Sequence, residues 1–388
     1  MNWVDEEEDR MRTSTSAMAR HWVGLAIALV TVCLLAASCG DSDGDTDEPD
    51  ATETPASAEA PDTDEPDATE PSAGTEVPDE VNIAVVVFAV KEASWNLSLI
   101  GSLDRVAEAE PHGLQVTYEV FENIAYADGE RVIRELASGG EYDIILGHST
   151  YGEAIAAVKD DFPDMLFAYS GSGNEPSGGN GYWIDVLLHE PAYVAGVAAA
   201  LMSETDSIGA VAAFPFPNVN GPVNAFFDGA RSVSPDITTS VTYIESWFDP
   251  AKAGEASAAL IASGADVLYA PSTPGTFSPI AEGDPVLGIG DLIDEAPQAP
   301  HAIVTSTVAL WDPAVSVLID AWFDHAVNDA PYDAPLERIR FFMSEGGADI
   351  APLTETLVPG DVAAAVMEVR EQILSGEVVV ELNEGPVE

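Results

Sequence analysis

The chain has 388 residues, of which 68 are Asp or Glu and 13 are Lys or Arg, and its formal net charge is −55. This charge would repel phosphates, so it excludes nucleic acid as a natural partner, and it disfavours electrostatic docking to anionic lipid. The two cysteines are Cys33 and Cys39, so the remainder of the chain holds no disulfide framework, thiolate metal site or catalytic cysteine.

Residues 1–38 have the pattern of a secretory signal peptide with a lipobox. An uncharged apolar run from Trp22 to Ser38 follows three arginines and ends in small residues directly before Cys39. A short apolar region with this ending is typical of a signal peptide rather than a membrane-spanning helix. We therefore expect Cys39 to be lipidated and to anchor the chain to the outer face of the cell membrane. An uncleaved signal anchor is the alternative, because the run is just long enough to span a bilayer.

Residues 39–80 form the expected tether. After Cys39 the segment is dominated by Asp, Glu, Pro, Thr, Ser and Ala, and the sequence TDEPDATE occurs twice, at 46–53 and at 63–70. Such a segment buries too little apolar surface to overcome its chain entropy, and its like charges repel one another. We expect it to be disordered and extended.

Strand and helix patterns alternate from residue 81 onward. The run 83–88 is continuous and β-branched, which is typical of a buried parallel strand. Further strands are predicted at 115–120, 142–146, 165–169, 208–212, 238–244, 267–270 and 302–306. Helices are predicted at 97–109, 129–137, 151–159, 191–202, 219–233, 250–262 and 313–325.

This alternation predicts an α/β protein of two lobes, each a doubly wound, mainly parallel sheet flanked by helices, with a hinge and a cleft between them. We assign residues 81–203 to the N-terminal lobe and 204–310 to the C-terminal lobe. Residues 311–388 are expected to supply helices and a strand that pack back across the hinge.

Ligands of open α/β sheets bind beyond the carboxyl ends of the strands, which selects the loops after each predicted strand. In the first lobe these loops hold Trp95, Asn96, His148 and Tyr151. Aromatic side chains recur in them, and a flat ring can stack on a planar ligand while Asn or Asp fixes its orientation. These loops contain no Arg and only one Lys, so an anionic ligand is not expected.

The second lobe carries motifs that resemble the BMP (basic membrane protein) family. They are IGAVAAFPFP at 208–217, VNAF at 223–226, GARSVSPD at 229–236 and SWFDPAK at 246–252, with FPD at 162–164 and LSGE at 374–377. The resemblance extends from about 81 to 377. It implies a substrate-binding lipoprotein of an ABC importer, with a fold like that of sugar-binding proteins, that binds purine nucleosides or nucleobases and passes them to a permease.

The resemblance also implies candidate ligand-binding residues. Trp95 falls where the family places an aromatic that stacks on the base, and Asn96 matches a polar position beside it. Phe214, Asn224 and Trp247 match prominent positions of the second-lobe motifs. Asp294 matches the second acidic residue of a Gly-x-Asp-x-Asp-like stretch. Leu292 stands where the first acidic residue, which typically holds ribose, would be.

Each candidate also has a structural explanation. For Trp95 the alternative is a cap on the core, for Phe214 a stiffener of a proline-rich loop, and for Asn224 a solvent-facing position in the middle of a helix. For Trp247 the alternative is a hydrophobic staple for the helix that Asp249 and Pro250 begin. Asp294 is as readily a helix cap as a ligand acceptor, and His148 could bind a ligand or act as a base.

The sequence therefore predicts a monomeric, non-enzymatic protein that captures a small neutral planar solute by hinge closure, with no cofactor and no metal site. Its expected partners are the solute, the ABC permease subunits and, through the lipid anchor alone, the membrane. A lipoprotein that signals ligand binding to a membrane receptor is one alternative. A nucleoside hydrolase is another, although no convincing cluster of acids at the strand ends supports it.

Overall fold

The computed structural model describes residues 77–281 and 283–387, all of them within one compact unit, Pro71–Glu388. The signal segment, Cys39 and nearly all of the predicted tether lie outside the described residues. Among the residues that are described, no helix is long and apolar enough to cross a membrane.

The described part of the chain contains twelve β-strands and eight α-helices. The strands are β1 Glu80–Val86, β2 Gln115–Phe121, β3 Ile144–Gly147, β4 Leu166–Ser170, β5 Gly181–Val186, β6 Ser207–Ala212, β7 Thr238–Tyr243, β8 Val267–Tyr269, β9 Leu287–Gly290, β10 Ile303–Ala309, β11 Ile339–Phe341 and β12 Ala348–Ile350. The helices are α1 Ser94–Ala109, α2 Tyr126–Gly139, α3 Gly152–Ala156, α4 His189–Met202, α5 Pro217–Val233, α6 Pro250–Ala262, α7 Asp312–Asn328 and α8 Gly360–Leu374.

The strands form two six-stranded sheets with equivalent strand orders. The first sheet has the order β2-β1-β3-β4-β5-β11, and all its strands are parallel. The second sheet has the order β7-β6-β8-β9-β10-β12, and it is parallel except for β12, which pairs antiparallel with β10. This is the two-lobed α/β architecture that the sequence predicts.

The chain passes between the two sheets three times. It leaves the first sheet after β5 and enters the second lobe through α4, which packs against α5, α8 and the strands β10 and β12. It returns after β10 through α7, which packs against α1 and the strands β4 and β5. The third passage joins β11 of the first sheet to β12 of the second. These three passages form the hinge side of the cleft.

Local sequence explains where several elements begin. The Asp249 side chain accepts a hydrogen bond from the backbone N–H of Lys252 at 3.0 Å, and Pro250 occupies the first turn of α6, as the sequence predicts. The predicted helix 151–159 is shorter than expected. Only 152–156 is α-helical, and a 3₁₀ turn at Lys159–Asp161 follows.

Helix α4 is apolar on nearly all sides and is buried accordingly. It crosses α5 at very short distance, because a Cβ atom on Gly196 would overlap the carbonyl oxygen of Phe226. A Cβ on Gly229 would likewise overlap the carbonyl oxygen of Tyr193. The two glycines therefore permit direct backbone contact at this crossing.

Candidate functional site

The candidate site is a cavity of about 490 Å³ between the carboxyl ends of the strands of both sheets. Loops that follow β1, β3 and β4 line it from the first lobe, and loops that follow β6, β7, β8 and β9 line it from the second. Segments 185–189, 338 and 382–384 close it on the hinge side. A cavity of this size is within the range that binds small organic ligands.

Trp95 forms the centre of the first-lobe wall. Its indole stacks on the His148 ring, with 4.8 Å between ring centroids and 12° between the planes. Trp311, which is fully buried, packs nearly perpendicular to both rings. The Trp95 Nε1–H donates to the carbonyl oxygen of His148 at 3.3 Å. These contacts fix the orientation of Trp95, which remains only half-buried at the cleft.

His148 supports Trp95 and has no free ring nitrogen. Its Nε2 lies 3.0 Å from the carbonyl oxygen of Trp95, which can only accept, so Nε2 carries the hydrogen. Its Nδ1 then accepts from the Ser170 hydroxyl at 3.0 Å. Burial lowers the pKa of His148 to about 4, so the ring is neutral at pH 7. This arrangement suits a support for the stacked ring better than a base or a ligand-binding group.

A second aromatic pair extends the first-lobe wall. Phe88 and Tyr126 stack with 4.6 Å between their centroids, and both are more than 40% exposed. The Tyr126 hydroxyl hydrogen-bonds the Ser149 hydroxyl at 2.8 Å, which ties the pair to the loop after β3.

The second lobe presents its own aromatic cluster. Phe214 and Phe216 stack with centroids 5.1 Å apart, and Trp247 packs at a tilt against both. Phe216 is 47% exposed and Trp247 is 40% exposed. Phe216, Trp247 and the neighbouring Phe248 line the cleft, so each lobe contributes exposed aromatic rings to the same cavity.

The hinge side of the cleft carries an ion pair and a buried histidine among apolar side chains. Arg338 pairs with Asp185 at 2.8 Å from Nη1 to Oδ2, and its guanidinium lies over the Trp183 ring at 5.5 Å. Burial raises the pKa of Asp185 to about 6, although Arg338 opposes that shift. His189 is also buried here, and burial lowers its pKa to about 4.

The carboxylate of Asp291 is buried at the cleft but fully engaged by the protein. It accepts from the Tyr269 hydroxyl at 3.0 Å, the Thr307 hydroxyl at 2.5 Å and the backbone N–H of Ser272 at 3.0 Å. Burial raises its pKa. Among the described lining residues the carboxylates are Asp185, Asp291 and Glu384, against the single guanidinium of Arg338. This balance disfavours an anionic ligand.

The structure brings together four of the sequence-predicted site residues at the cleft, namely Trp95, Asn96, His148 and Trp247. The Asn96 side-chain amide donates to the carbonyl oxygen of Val90 at 2.8 Å, which holds the loop before α1. Phe214 lies directly behind this surface, where it supports Phe216 and Trp247.

The other three predicted residues make contacts away from the cavity. Tyr151 is buried, and its hydroxyl donates to the carbonyl oxygen of Ile124. The Asn224 amide binds backbone carbonyl oxygens of residues 383 and 385. The Asp294 carboxylate accepts from the backbone N–H of Ala296 in its own turn. Each of these groups is used by the protein itself.

Sequence reasoning missed several residues that line the cavity. Phe216 occurs in a loop that the strand-end rule selects, so its position was an available signal, whereas Phe88 falls within the predicted strand 83–88 and lies beyond the end of β1 at Val86. Arg338 and Glu384 belong to segments that no periodic pattern places at the cleft. The second passage of the chain, which ends at β11, brings Arg338 there, and the packing of the last described residues brings Glu384.

The loops of the two lobes approach each other without polar contacts. Among residues 77–281 and 283–387, no hydrogen bond joins the first-lobe loops after β1, β3 and β4 to the second-lobe loops after β6, β7, β8 and β9. In the described residues, therefore, no hydrogen bond holds the two aromatic walls together.

Residues 81–328 match the family model of PnrA-like ABC transporter substrate-binding proteins, called Bmp. The chain belongs to this family. The resemblance seen in the second-lobe motifs is thereby confirmed, and the coarse function follows: this is a substrate-binding protein of the ABC transporter type.

Individual relatives agree with this assignment. The chain is 31% identical over 269 residues to the "Purine-binding protein BAB2_0673" of Brucella abortus, which covers 69% of this chain and 74% of that one. It is 40% identical over 152 residues to the "Putative ABC transporter glucose-binding protein TsgA13" of Haloferax volcanii, which covers 39% of this chain and 38% of that one. A solved solute-binding protein of an ABC transporter from Conexibacter woesei has the same fold, with a TM-score of 0.60 and 20% identity over 78% of this chain and 99% of that one.

Proposed function

We propose that this protein captures a small, uncharged, planar solute, a purine nucleoside or nucleobase, and delivers it to an ABC permease. The observation that carries the proposal is the pair of aromatic walls, Trp95 in one lobe and Phe216 with Trp247 in the other, lining one cavity. Stacking contributes roughly 0.5–1.5 kcal/mol per aromatic pair beyond the buried area, and every purine offers a planar ring to both walls. The name of the Brucella relative supports the same ligand class.

The cleft holds the ligand without breaking a bond in it. The buried carboxylate of Asp291 is engaged by three protein donors, and His148 has no free nitrogen, so neither is available as a base. Closure of the two lobes about the three chain passages would bring the walls onto the ligand. Anchoring through Cys39 outside the cytoplasmic membrane completes the proposal.

A panel of ligands tests the solute class. The melting temperature of the purified protein is measured with adenine, guanine, adenosine, guanosine, inosine, ribose, glucose and adenosine monophosphate. A ligand at a hundred times its dissociation constant adds about 2.7 kcal/mol, which raises the melting temperature by roughly 3–5 °C for a protein of this size. We expect that shift with at least one neutral purine and none with the monophosphate.

Two results would contradict the proposal. A shift with glucose or ribose and none with any purine would place the ligand among the sugars, as the name of the Haloferax relative suggests for that protein. Release of free base from an added nucleoside, followed by chromatography, would show an enzyme instead of a binding protein.

A further inference from the structure

The segment 380–387 lies along α5 and is attached to it by side-chain contacts. The Asn224 amide donates to the carbonyl oxygens of Asn383 at 2.8 Å and of Gly385 at 3.1 Å. One turn earlier on the helix, a Cβ on Gly221 would lie only 3.2 Å from the Leu382 side chain, so this glycine gives the segment room. Residues three apart on a helix share a face. Gly221 and Asn224 therefore form one seat for the segment.

This seat places Glu384 at the cleft, because the residue lies between the two carbonyl groups that Asn224 holds. Its side chain is 35% exposed and lines the cavity. The Glu384 Oε1 is 3.8 Å from Nη2 of Arg338, which is too long for a hydrogen bond. The carboxylate is thus close to a cation but keeps its acceptor capacity.

Arg338 has hydrogen-bonding capacity that the protein does not use. Its side chain is only 8% exposed, its Nη1 is bonded to Asp185, and its Nε has no hydrogen-bond partner among residues 77–281 and 283–387. A guanidinium has several N–H donors, and a buried polar group without a partner costs free energy. The under-used guanidinium of Arg338, through its Nη2, and the partly exposed carboxylate of Glu384 therefore lie side by side at the hinge end of the cleft.

We propose that Arg338 and Glu384 form a donor–acceptor pair that binds a ligand edge with a hydrogen-bond acceptor and a donor on neighbouring atoms. The ligand's acceptor receives an N–H from Arg338, and the ligand's N–H or O–H donates to Glu384. Asn224 is a positioning residue, since it acts by holding the segment that carries Glu384. The inference rests on the proposed function, because it describes the hinge end of the cleft whose walls stack on the ring.

Two parts of a purine nucleoside have this chemistry. One is the base edge of a 6-oxopurine, where a carbonyl oxygen lies next to an N–H. The other is a pair of neighbouring sugar hydroxyls. Titration calorimetry of Glu384→Gln with guanine, guanosine and 2′,3′-dideoxyguanosine distinguishes them. We expect binding to weaken roughly tenfold or more, since hydrogen bonds to charged groups are the stronger ones.

The pattern of affinity losses among the three ligands shows which edge of the ligand contacts Arg338 and Glu384. An equal loss for all three ligands assigns the pair to the base, and a loss confined to guanosine assigns it to the hydroxyls. Glu381→Gln, an exposed glutamate of the same segment, serves as the matched control and should bind all three as the parent does. If Glu384→Gln also binds all three like the parent, the inference is wrong while the proposed function stands. If the parent protein binds none of the purines, the proposed function itself is wrong.

The role of Asn224 has a separate test. Asn224→Ala should weaken the same ligands as Glu384→Gln, and the double variant should bind no worse than the single Glu384→Gln, because both changes remove one contact. A general structural defect would instead add to the loss. Additive losses would therefore contradict the positioning role. Glu384 is partly exposed, so Glu384→Gln keeps the inference testable even where Asn224→Ala does not fold.

Discussion

Trp95 shows how much the shape of a cavity wall depends on the groups that hold its rings in place. One neighbour, His148, must stay neutral so that its two nitrogens can bond Trp95 and Ser170 in one tautomer. Burial secures this state by lowering the pKa of His148 to about 4. A protonated ring would lose the acceptor that Ser170 needs, so acid should loosen the stack. The shape of this wall is therefore set by buried polar chemistry as well as by packing.

Burial of Glu295 makes the stability of the folded protein depend on pH. Glu295 is 9% exposed in the loop after β9, and within the described part of the chain its Oε2 accepts only a long hydrogen bond, 3.3 Å, from the backbone N–H of Asp291. Burial, opposed by that hydrogen bond, raises the pKa of Glu295 to about 7. The folded state therefore binds this proton more tightly than the unfolded chain does. Stability from Glu295 is complete below pH ~4.5 and is lost as the pH rises through about 7.

The variant Glu295→Gln should remove this loss. The amide keeps an acceptor oxygen for Asp291 but cannot ionise, so we expect a higher free energy of unfolding at pH 8, by about 1–3 kcal/mol, and little change at pH 4. Urea unfolding of the variant and the parent at a series of pH values measures this difference in the free energy of unfolding. Glu255→Gln, on the exposed face of α6, is the control for removing a charge. If the Glu295→Gln variant is no more stable than the parent at pH 8, ionisation of Glu295 does not destabilise the folded protein and the prediction is wrong.

At the scale of elements, the crossing of α4 and α5 fixes the second lobe to the chain passage after β5. Gly196 and Gly229 each lie against a backbone carbonyl oxygen of the other helix. The crossing is possible because neither glycine has a side chain. A backbone atom cannot rotate out of the way as a side chain can. The helices would have to move apart if either glycine gained a methyl group.

We expect Gly196→Ala to lower the free energy of unfolding by at least about 2 kcal/mol, since overpacking a tight contact forces backbone shifts. Denaturant unfolding of the full chain measures this. Gly139→Ala is the matched control, because a Cβ at this end of α2 meets no atom of the described residues within 4 Å. The control should be neutral or slightly stabilising. Equal stability of Gly196→Ala and Gly139→Ala would contradict the close crossing.

The sequence predicts an element correctly where the residues of that element themselves determine its structure. β1 and α6 are specified by their own residues, through a run of β-branched side chains and an Asp249 cap. β5 and β9 were missed, and the one strand expected within 311–388 was given no position, whereas the structure has two three-residue strands there, β11 and β12. β9 contains two glycines in four residues, and β11 and β12 are too short to carry a periodic pattern. They are strands because neighbouring strands supply their hydrogen bonds.

The same reasoning applies to the candidate site. Trp95 and Trp247 follow predicted strands, so the strand-end rule selects their loops without any knowledge of the fold. The rule cannot tell a side chain that faces the cleft from one that turns inward, as Tyr151 does to bond Ile124. Arg338 and Glu384 are separated from the strand-end loops in sequence and reach the cleft only through tertiary packing. No local pattern encodes that arrangement.

At the scale of the whole molecule, two sheets of equivalent order face each other across one cavity, and three passages of the chain connect them. The aromatic rings are divided between the lobes, so a ligand that contacts both walls would favour closure over the open form. The formal charge of −55 adds self-repulsion, which counter-ions screen. Binding measurements therefore belong in high salt.

The central claim is that a flat, neutral ligand is held by both lobes at once, and titration calorimetry of three variants tests it most directly. With the purine that binds the parent most tightly, Trp95→Ala in the first lobe and Trp247→Ala in the second should each weaken binding roughly tenfold or more. Leu336→Ala, an exposed apolar residue that does not line the cavity, should bind as the parent does. Parent-like affinity in either tryptophan variant would contradict capture between the two walls.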